Sequence, residues 1–397
     1  MHNRPPPNQL EAPFSYRLSF YLIMASTFLF FFSMHLLITP LPLYIKEVGG
    51  EPSQIGLVMG VFALTAVLSR PLVGRLVDTW GRKPVMMIGS AIFILAPLFY
   101  ILARSVPSLF LARMFHGMGI AAFTTAYSTL VADLVPPPRR GEALGLAGVA
   151  PPLSIMLAAP LGDALLPRLD FSFLFVVSAV VAALSLLVAI PIREAARAAN
   201  PQKAPGFLET LSERYVWTPS LLIVAVGLTY GSLLTFLPPF GMEKGIANVG
   251  LFFTAYGLMT MIARMPLGRL SDRVGRITVI VPATMLLALA LAGLKVVGDV
   301  KLLIVVAILY GLGLSGTWTA AMALVIDKAP LEVRGTAIGV LYACFDLGIG
   351  LGGVAMGPLA GMMGYGGMYL LLGLIALVGV AAFVGLMGRE SPQRRID

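Results

Sequence analysis

The 397-residue chain has little of what enzymes and metal proteins use for chemistry. It contains one cysteine, Cys344, and three histidines. The single cysteine excludes an intrachain disulfide, and the scattered histidines predict no metal site. There is no G-x-x-x-x-G-K-S/T phosphate loop, and the G-x-G-x-x-G match at Gly311–Gly316 lies inside an apolar run instead of after a strand. We therefore expect no enzymatic activity, no cofactor and no ATP-driven process in this chain.

Charged residues are also scarce. Only 12% of the residues are charged and 58% are hydrophobic, and the mean hydropathy is +0.90. Because about one quarter of the residues in a soluble domain are charged, this composition predicts an all-α membrane protein. Runs of about 20 apolar residues can cross a bilayer as helices. Twelve transmembrane helices are predicted, at 18–44, 53–78, 84–103, 107–132, 141–166, 171–190, 217–241, 250–271, 277–297, 301–326, 335–360 and 367–387.

A long internal repeat divides the chain into two halves. The segment Gly74–Lys83 returns as Gly268–Arg276 after a shift of 194 residues. The same shift relates further matching pairs, namely Arg70 and Arg264, Gly117 and Gly311, Asp133 and Asp327, and Gly145 and Gly339. Two copies of so large an apolar unit predict two pseudo-symmetric six-helix bundles, an organisation typical of secondary transporters.

A polar interval separates the two copies. Residues 191–216 contain seven charged residues and three prolines, so this interval is predicted to be a cytoplasmic linker. The predicted organisation is a cytoplasmic tail at 1–17, an amino-terminal bundle at 18–190, the linker at 191–216, a carboxy-terminal bundle at 217–387 and a cytoplasmic tail at 388–397.

The distribution of basic residues predicts the orientation. If both termini are cytoplasmic, nineteen of the 28 Lys and Arg residues fall in cytoplasmic segments, six in external loops and three within helices. The positive-inside rule therefore favours cytoplasmic termini in a multi-pass plasma membrane protein, which we expect in a bacterial inner membrane. The net charge of +9 is assigned to topology and to contact with the anionic lipid bilayer, and no nucleic acid partner is expected.

Two motifs resemble those of the major facilitator superfamily. The loop pattern G-x-L-x-D-x-x-G-R-K is matched in full by Gly74–Lys83 and more weakly by Gly268–Arg276. The helix pattern R-x-x-x-G-x-G is matched by Arg113, Gly117 and Gly119. The resemblance covers essentially the whole chain and implies the major facilitator fold, with a monomer as the family's usual state.

A third motif resembles the drug/proton antiporter branch, which carries out multidrug efflux. The run Ala159–Gly162, with Gly141, Gly145 and Gly148 before it, is similar to the antiporter motif G-x-x-x-G-P-x-x-G. Ala159 stands where the motif has Gly. The resemblance implies exchange of a small-molecule substrate for protons.

The resemblance also gives the loop motifs a gating role. In the family, this cluster joins the two halves on the cytoplasmic side when the cavity faces outward. Asp78 is expected near the start of the eleventh predicted helix, where the helix dipole stabilises a carboxylate, and the glycines allow tight contacts and a sharp turn. The alternative is simple anchoring by basic residues. The predicted gating residues are Gly74, Asp78, Gly81, Arg82, Lys83, Asp133, Asp272 and Arg276.

Ionisable residues inside predicted helices are candidates for proton coupling, because a charge in the bilayer centre costs about 2.5–3.5 kcal/mol. Asp346 shares a helix face with Gly339, Tyr342, Gly350 and Gly353, a stripe expected to face protein. It either loads and releases a proton as water access alternates, or joins helices by hydrogen bonds.

Five further ionisable residues within the predicted helices are singled out. In the antiporter branch the Arg at the position of Arg113 faces the cavity and takes part in coupling. His116 and His35 either titrate beside the cavity or are neutral, hydrogen-bonded packing residues. Arg70 and Arg264 are predicted to extend to the cytoplasmic interface, and the alternative is that they bind substrate. The predicted proton-coupling set is Asp346, Arg113, His35 and His116.

Aromatic residues inside the predicted helices are candidates for lining a substrate cavity. They are Tyr127, Tyr230, Phe236, Tyr256, Tyr310, Trp318 and Tyr342. Our leading hypothesis is proton-coupled efflux of a small organic molecule by antiport and alternating access. The alternatives are a proton-coupled importer of a sugar or organic acid, and a lipid flippase on the same fold.

Overall fold

A computed structural model describes residues 14–134, 146–194, 207–330 and 333–387, and this part of the chain is helical without strands. The helices, in chain order, are α1 Phe14–Leu36, α2 Pro40–Glu47, α3 Pro52–Trp80, α4 Arg82–Leu102, α5 Val106–Asp133, α6 Ala150–Leu165, α7 Phe171–Ala189, α8 Phe207–Ser212, α9 Arg214–Lys244, α10 Leu251–Val274, α11 Arg276–Gly293, α12 Val300–Lys328 and α13 Arg334–Met387. A short 3-10 turn, Leu294–Val296, follows α11.

Nine helical spans within the described residues are long and apolar enough to cross a membrane. One of these spans lies within α13 and contains Gly364, whose φ of 70° is not helical. We therefore treat α13 as two arms, before and after Gly364. The remaining two predicted spans correspond to α10 and to α6, which has only 16 residues. Each predicted span overlaps a helix or an arm, although residues 141–145 lie outside the described part.

One break at a proline and two turns at glycines divide the helices. The first predicted span is interrupted between α1 and α2, and Pro40, which lacks a backbone N–H, begins α2. The loop motifs end α3 and α10 at Gly81 and Gly275, with φ values of 100° and 96°. Only glycine adopts such angles readily, so these two glycines permit the sharp turns predicted from the motifs. Helix α8 lies within the predicted linker, and α9 begins at Arg214.

The two halves pack along two helix crossings, α3 with the first arm of α13, and α10 with α6. We call the end of the molecule that carries Gly81 and Gly275 the linker end, and the opposite end the distal end. Near the distal end, a Cβ added to Gly56 would collide with the backbone of Gly353, and one added to Gly250 would collide with Ala159 and Pro160. Glycine therefore allows the two halves to meet closely there.

The halves separate toward the linker end. A Cβ added to Gly350 would meet Leu64, but one added to Gly74 on α3 or to Gly339 on α13 would meet no atom within 4 Å. The tight contact expected at Gly74 is therefore not formed in this structure. The core inside the amino-terminal bundle includes Phe30, stacked between Phe93 and Phe123 at 3.8 and 3.7 Å between ring centroids.

Candidate substrate and coupling site

Asp346 forms an ion pair that crosses between the two halves. Its Oδ2 accepts a hydrogen bond from Nη2 of Arg70, which lies on α3, whereas Asp346 lies on the first arm of α13. The side chains are 29% and 25% exposed, and Nε of Arg70 is buried without a hydrogen-bond partner among the described residues. The sequence did not predict this pair, because Arg70 was assigned to the cytoplasmic interface and not to a contact with Asp346. Since isolated charges are costly there, each residue stabilises the other.

Arg113 and His116 lie together inside the amino-terminal bundle. Arg113 is 6% exposed, and its guanidinium carbon lies 4.1 Å from the ring centroid of Phe62, a cation–π contact. Its Nη1 lies 3.4 Å from both the Tyr100 hydroxyl and Nδ1 of His116. That hydroxyl lies 2.8 Å from the same Nδ1. An imidazole nitrogen accepts from such donors only when it carries no proton, so the geometry fits a neutral His116.

His35 lies in a third, separate environment. It is 5% exposed, its Nδ1 is 2.5 Å from Oγ of Ser154 on α6, and its ring stacks on Phe31 at 5.8 Å. Because Ser154 donates its own proton to the carbonyl of Pro151, 2.7 Å away, His35 is placed to donate through Nδ1. Within the described residues, no hydrogen bond joins Asp346 to Arg113, His35 or His116. The four predicted coupling residues thus form three separate groups.

Five of the predicted cavity aromatics form a continuous run with one further residue, Phe345. The consecutive ring-centroid distances are 5.9, 5.7, 5.7, 4.9 and 5.1 Å along the series Tyr310, Tyr256, Tyr230, Phe345, Trp318 and Tyr342. The run begins deep in the carboxy-terminal bundle, where Tyr310 is 1% exposed, and ends at Tyr342, which is 45% exposed. Phe345 was not predicted, although its position beside Asp346 in the sequence was a usable signal.

The other two predicted aromatics lie elsewhere. Tyr127 on α5 packs against Phe123 at 5.9 Å, and its hydroxyl lies near Arg264 and Tyr342 of the opposite half. It therefore faces the end of the aromatic run. Phe236 is fully buried, lies 6.1 Å from the ring of Tyr365 and touches the position of Gly56. It packs near the distal end, apart from the run.

The first loop motif is held by bonds within the amino-terminal half. Nε of Arg82 lies 2.9 Å from Oδ2 of Asp133. The carboxylate of Glu194 accepts from the backbone N–H groups of Arg82 and Lys83, at 2.8 and 3.3 Å. The Lys83 ammonium donates to the carbonyl of Ile190 at 2.6 Å. Glu194 was missed as a partner because it is over one hundred residues away in the sequence.

The second loop motif has an equivalent network within its own half. Nε of Arg276 lies 2.9 Å from Oδ2 of Asp327, and its Nη1 donates to Asp272 and, at 2.7 Å, to Oγ of Ser271. Asp78 is exposed, and no described residue forms a hydrogen bond with it. In this structure, the described contacts of the predicted gating residues therefore do not join the two halves.

Comparisons with known proteins agree with this architecture. The chain matches the family model of the Major Facilitator Superfamily over residues 23–248 and 245–397. It is 24% identical over 365 residues to the staphylopine export protein of Staphylococcus aureus, covering 89% of this chain and 92% of that protein. It is 25% identical over 250 residues to multidrug resistance protein 1 of Bacillus subtilis, covering 61% of each.

Solved structures share the fold at low sequence identity. The nucleoside transporter NupG matches with a TM-score of 0.76 at 15% identity, covering 93% of this chain and 99% of that chain. A bacterial homologue of the human lysosomal transporter Spinster, in an inward-facing conformation, matches with a TM-score of 0.74 at 18% identity, covering 95% and 96%. The chain therefore belongs to the Major Facilitator Superfamily of membrane transporters.

Proposed function

We propose that the protein is a proton-coupled antiporter that expels a small organic molecule from the cytoplasm by alternating access. The observation that carries the proposal is the ion pair between Arg70 and Asp346, which joins the two halves inside the helical region. The staphylopine export protein and multidrug resistance protein 1, both similar to this chain, support the direction of transport.

The ion pair offers a physical basis for coupling. While Asp346 is ionised, it attracts Arg70 and favours contact between α3 and the first arm of α13. A proton on Asp346 removes this attraction, and the two helices then separate more easily. Proton binding and helix contact thus oppose each other, as a coupled transporter requires. A proton that moves inward releases about 2.3 kcal/mol of free energy per 100 mV of membrane potential, and this free energy drives export.

The loop motifs would act as the gate in this cycle. With cytoplasmic termini, the separated linker end faces the cytoplasm and the closed distal end faces outward. In the opposite state we expect Asp78 to approach the start of α13 and the Arg82 cluster to join the two halves. The bonds of Arg82 to Asp133 and Glu194 support this idea, because they hold the start of α4 in a defined position in this structure.

Substrate-induced proton release tests the proposal. Purified protein in detergent is mixed with a panel of drug-like and metabolite-like compounds in weakly buffered solution, and released protons are measured. We expect release by the wild type that is lost in Asp346→Asn. The control is Asp299→Asn, because Asp299 caps α12 at an exposed position and Asn caps equally well.

Two results would contradict the proposal. Binding of a compound without proton release would remove the competition between substrate and proton. In inverted vesicles, adding substrate outside should make the lumen more alkaline under antiport, and acidification would indicate symport instead.

A further inference from the structure

The charges well inside the described helices do not balance. Three arginines, Arg70, Arg113 and Arg264, lie there with one acid, Asp346. Arg70 binds Asp346, and Arg113 lies over Phe62. Arg264, partly buried in the middle of α10, has no hydrogen bond or ion pair with another described residue. Since an intramembrane charge normally has a partner, Arg264 is a candidate for binding a charge that the protein itself does not supply.

The repeat identifies which partner Arg264 lacks. The two helix crossings match residue by residue under the 194-residue shift. Gly56 meets the carbonyl of Gly353, and its equivalent Gly250 meets the carbonyl of Ala159. Likewise, Gly60 meets the carbonyl of Gly350. The shift relates Gly60 to residue 254 and Gly350 to residue 156. There, the hydroxyl of Thr254 donates to the carbonyl of Met156 at 2.9 Å.

The same shift carries the Arg70–Asp346 pair onto Arg264 and residue 152. Residue 152 is a proline, so the second crossing has the arginine but no carboxylate at the position equivalent to Asp346. Residue 152 packs on the helix that carries Arg264, because the carbonyl of Pro152 lies 3.1 Å from the ideal Cβ position of Gly257 on α10. A carboxylate from a bound molecule would therefore complete a pair for which the protein provides only one member.

The surroundings of Arg264 are suited to a polar aromatic molecule. Tyr127 and Tyr342, which belong to different halves, both lie near its guanidinium. Tyr342 is 45% exposed, and the ring of Trp318 lies 5.1 Å from it. Asp346 lies one helical turn from Tyr342 in the same helix. A positive group, a negative group and aromatic faces thus lie together between the halves.

We propose that Arg264 binds the carboxylate of the substrate, and that the substrate class is amino-acid-like zwitterions with a planar or aromatic body. The carboxylate pairs with Arg264, the aromatic body packs on Trp318 and Tyr342, and the ammonium group approaches Asp346. This inference rests on the proposed antiport, because an ammonium group competes with a proton at Asp346 whereas a plain anion would favour the protonated acid. Binding by a guanidinium–carboxylate pair is directional and strong.

Three matched probes test the inference. The zwitterion is 3-(2-naphthyl)alanine, the cation is its carboxamide, and the anion is 3-(2-naphthyl)propionate. Binding of each probe is measured by equilibrium dialysis in detergent. We expect Arg264→Gln to weaken binding of naphthylalanine and naphthylpropionate at least about tenfold, because it removes a charge-assisted bidentate contact. Binding of the carboxamide should change less than about twofold. The control is Arg269→Gln, an exposed arginine on the same helix.

A second variant tests the missing partner directly. Pro152→Asp supplies the carboxylate that the repeat places opposite Arg264, so it should also weaken naphthylalanine binding at least about tenfold, while Pro152→Asn should not. If wild type fails to bind naphthylalanine, or if Arg264→Gln and Pro152→Asp bind it like the controls, the inference is overturned. Such a failure leaves Asp346-dependent proton release by other compounds intact, so it is distinct from failure of the proposed antiport.

Discussion

Arg70 and Asp346 illustrate how two residues that are each unfavourable in a membrane become acceptable together. Each side chain is about one quarter exposed, so the pair is neither fully desolvated nor at a water-rich surface. Removing one partner leaves the other charge without compensation, and this costs more than the pair itself contributes. The effect of single substitutions should therefore be larger than the effect of replacing both residues.

Arg70→Gln is expected to lower the free energy of unfolding by about 1–2 kcal/mol. Fully buried pairs lose about 3–5 kcal/mol, and partial exposure reduces the effect here. The double variant Arg70→Gln with Asp346→Asn should recover most of the loss. Unfolding in mixed micelles with increasing SDS, followed by circular dichroism, measures this cycle.

Arg75→Gln provides the matched control for this cycle, since Arg75 is an exposed arginine on the same helix. Equal losses in Arg70→Gln and Arg75→Gln, or additive effects in the double variant, would show that the ion pair contributes no stability.

Helix α4 depends on a residue from the predicted linker region. Its first N–H groups have no partners within the helix, and the Glu194 carboxylate accepts from those of Arg82 and Lys83. A carboxylate at this position also interacts favourably with the positive end of the helix dipole. Glu194 therefore connects the sixth predicted span to the start of the third.

Glu194→Ala should lower the free energy of unfolding by about 1 kcal/mol, as loss of a helix cap does. Glu194→Gln keeps one oxygen acceptor and should lose about half as much. Hydrogen exchange, followed by mass spectrometry, should become faster at the start of α4. Arg193→Gln changes a neighbouring exposed side chain and should have no such effect. Unchanged exchange in Glu194→Ala would mean that water replaces the cap without cost.

Helix positions follow from the sequence more readily than the contacts between helices. Long apolar runs and the glycines of the loop motifs predict α3, α4 and the turn at Gly81, because hydropathy and backbone angles are local properties. The pairing of Arg70 with Asp346 is not local. It depends on the relative register of helices from different halves, 276 residues apart. Residue type singled out five members of the aromatic run as cavity candidates, but it predicted neither their mutual contacts nor the separate position of Phe236, because side-chain direction depends on helix rotation.

At the scale of the whole molecule, the two halves meet closely near the distal end and separate near the linker end. Gly56, Gly60, Gly353 and Gly250 make this approach possible, since a side chain at any of them would meet backbone atoms of the other half. A transporter that alternates must weaken these contacts in its other state. Their strength therefore helps to set the balance between the two states.

Gly56→Leu should shift this balance toward a state with an open distal end, because its side chain would collide with the carbonyl of Gly353. Cys344→Ser gives a cysteine-free background, in which Arg104→Cys and Lys301→Cys carry spin labels near the distal ends of the two halves. Double electron–electron resonance should then record a longer distance between the labels. Gly385→Leu, at an exposed position with no atom within 4 Å of an ideal Cβ, should leave the distance unchanged. An unchanged distance in Gly56→Leu would mean that α3 and α13 adjust locally, and that close glycine packing does not control the state of the transporter.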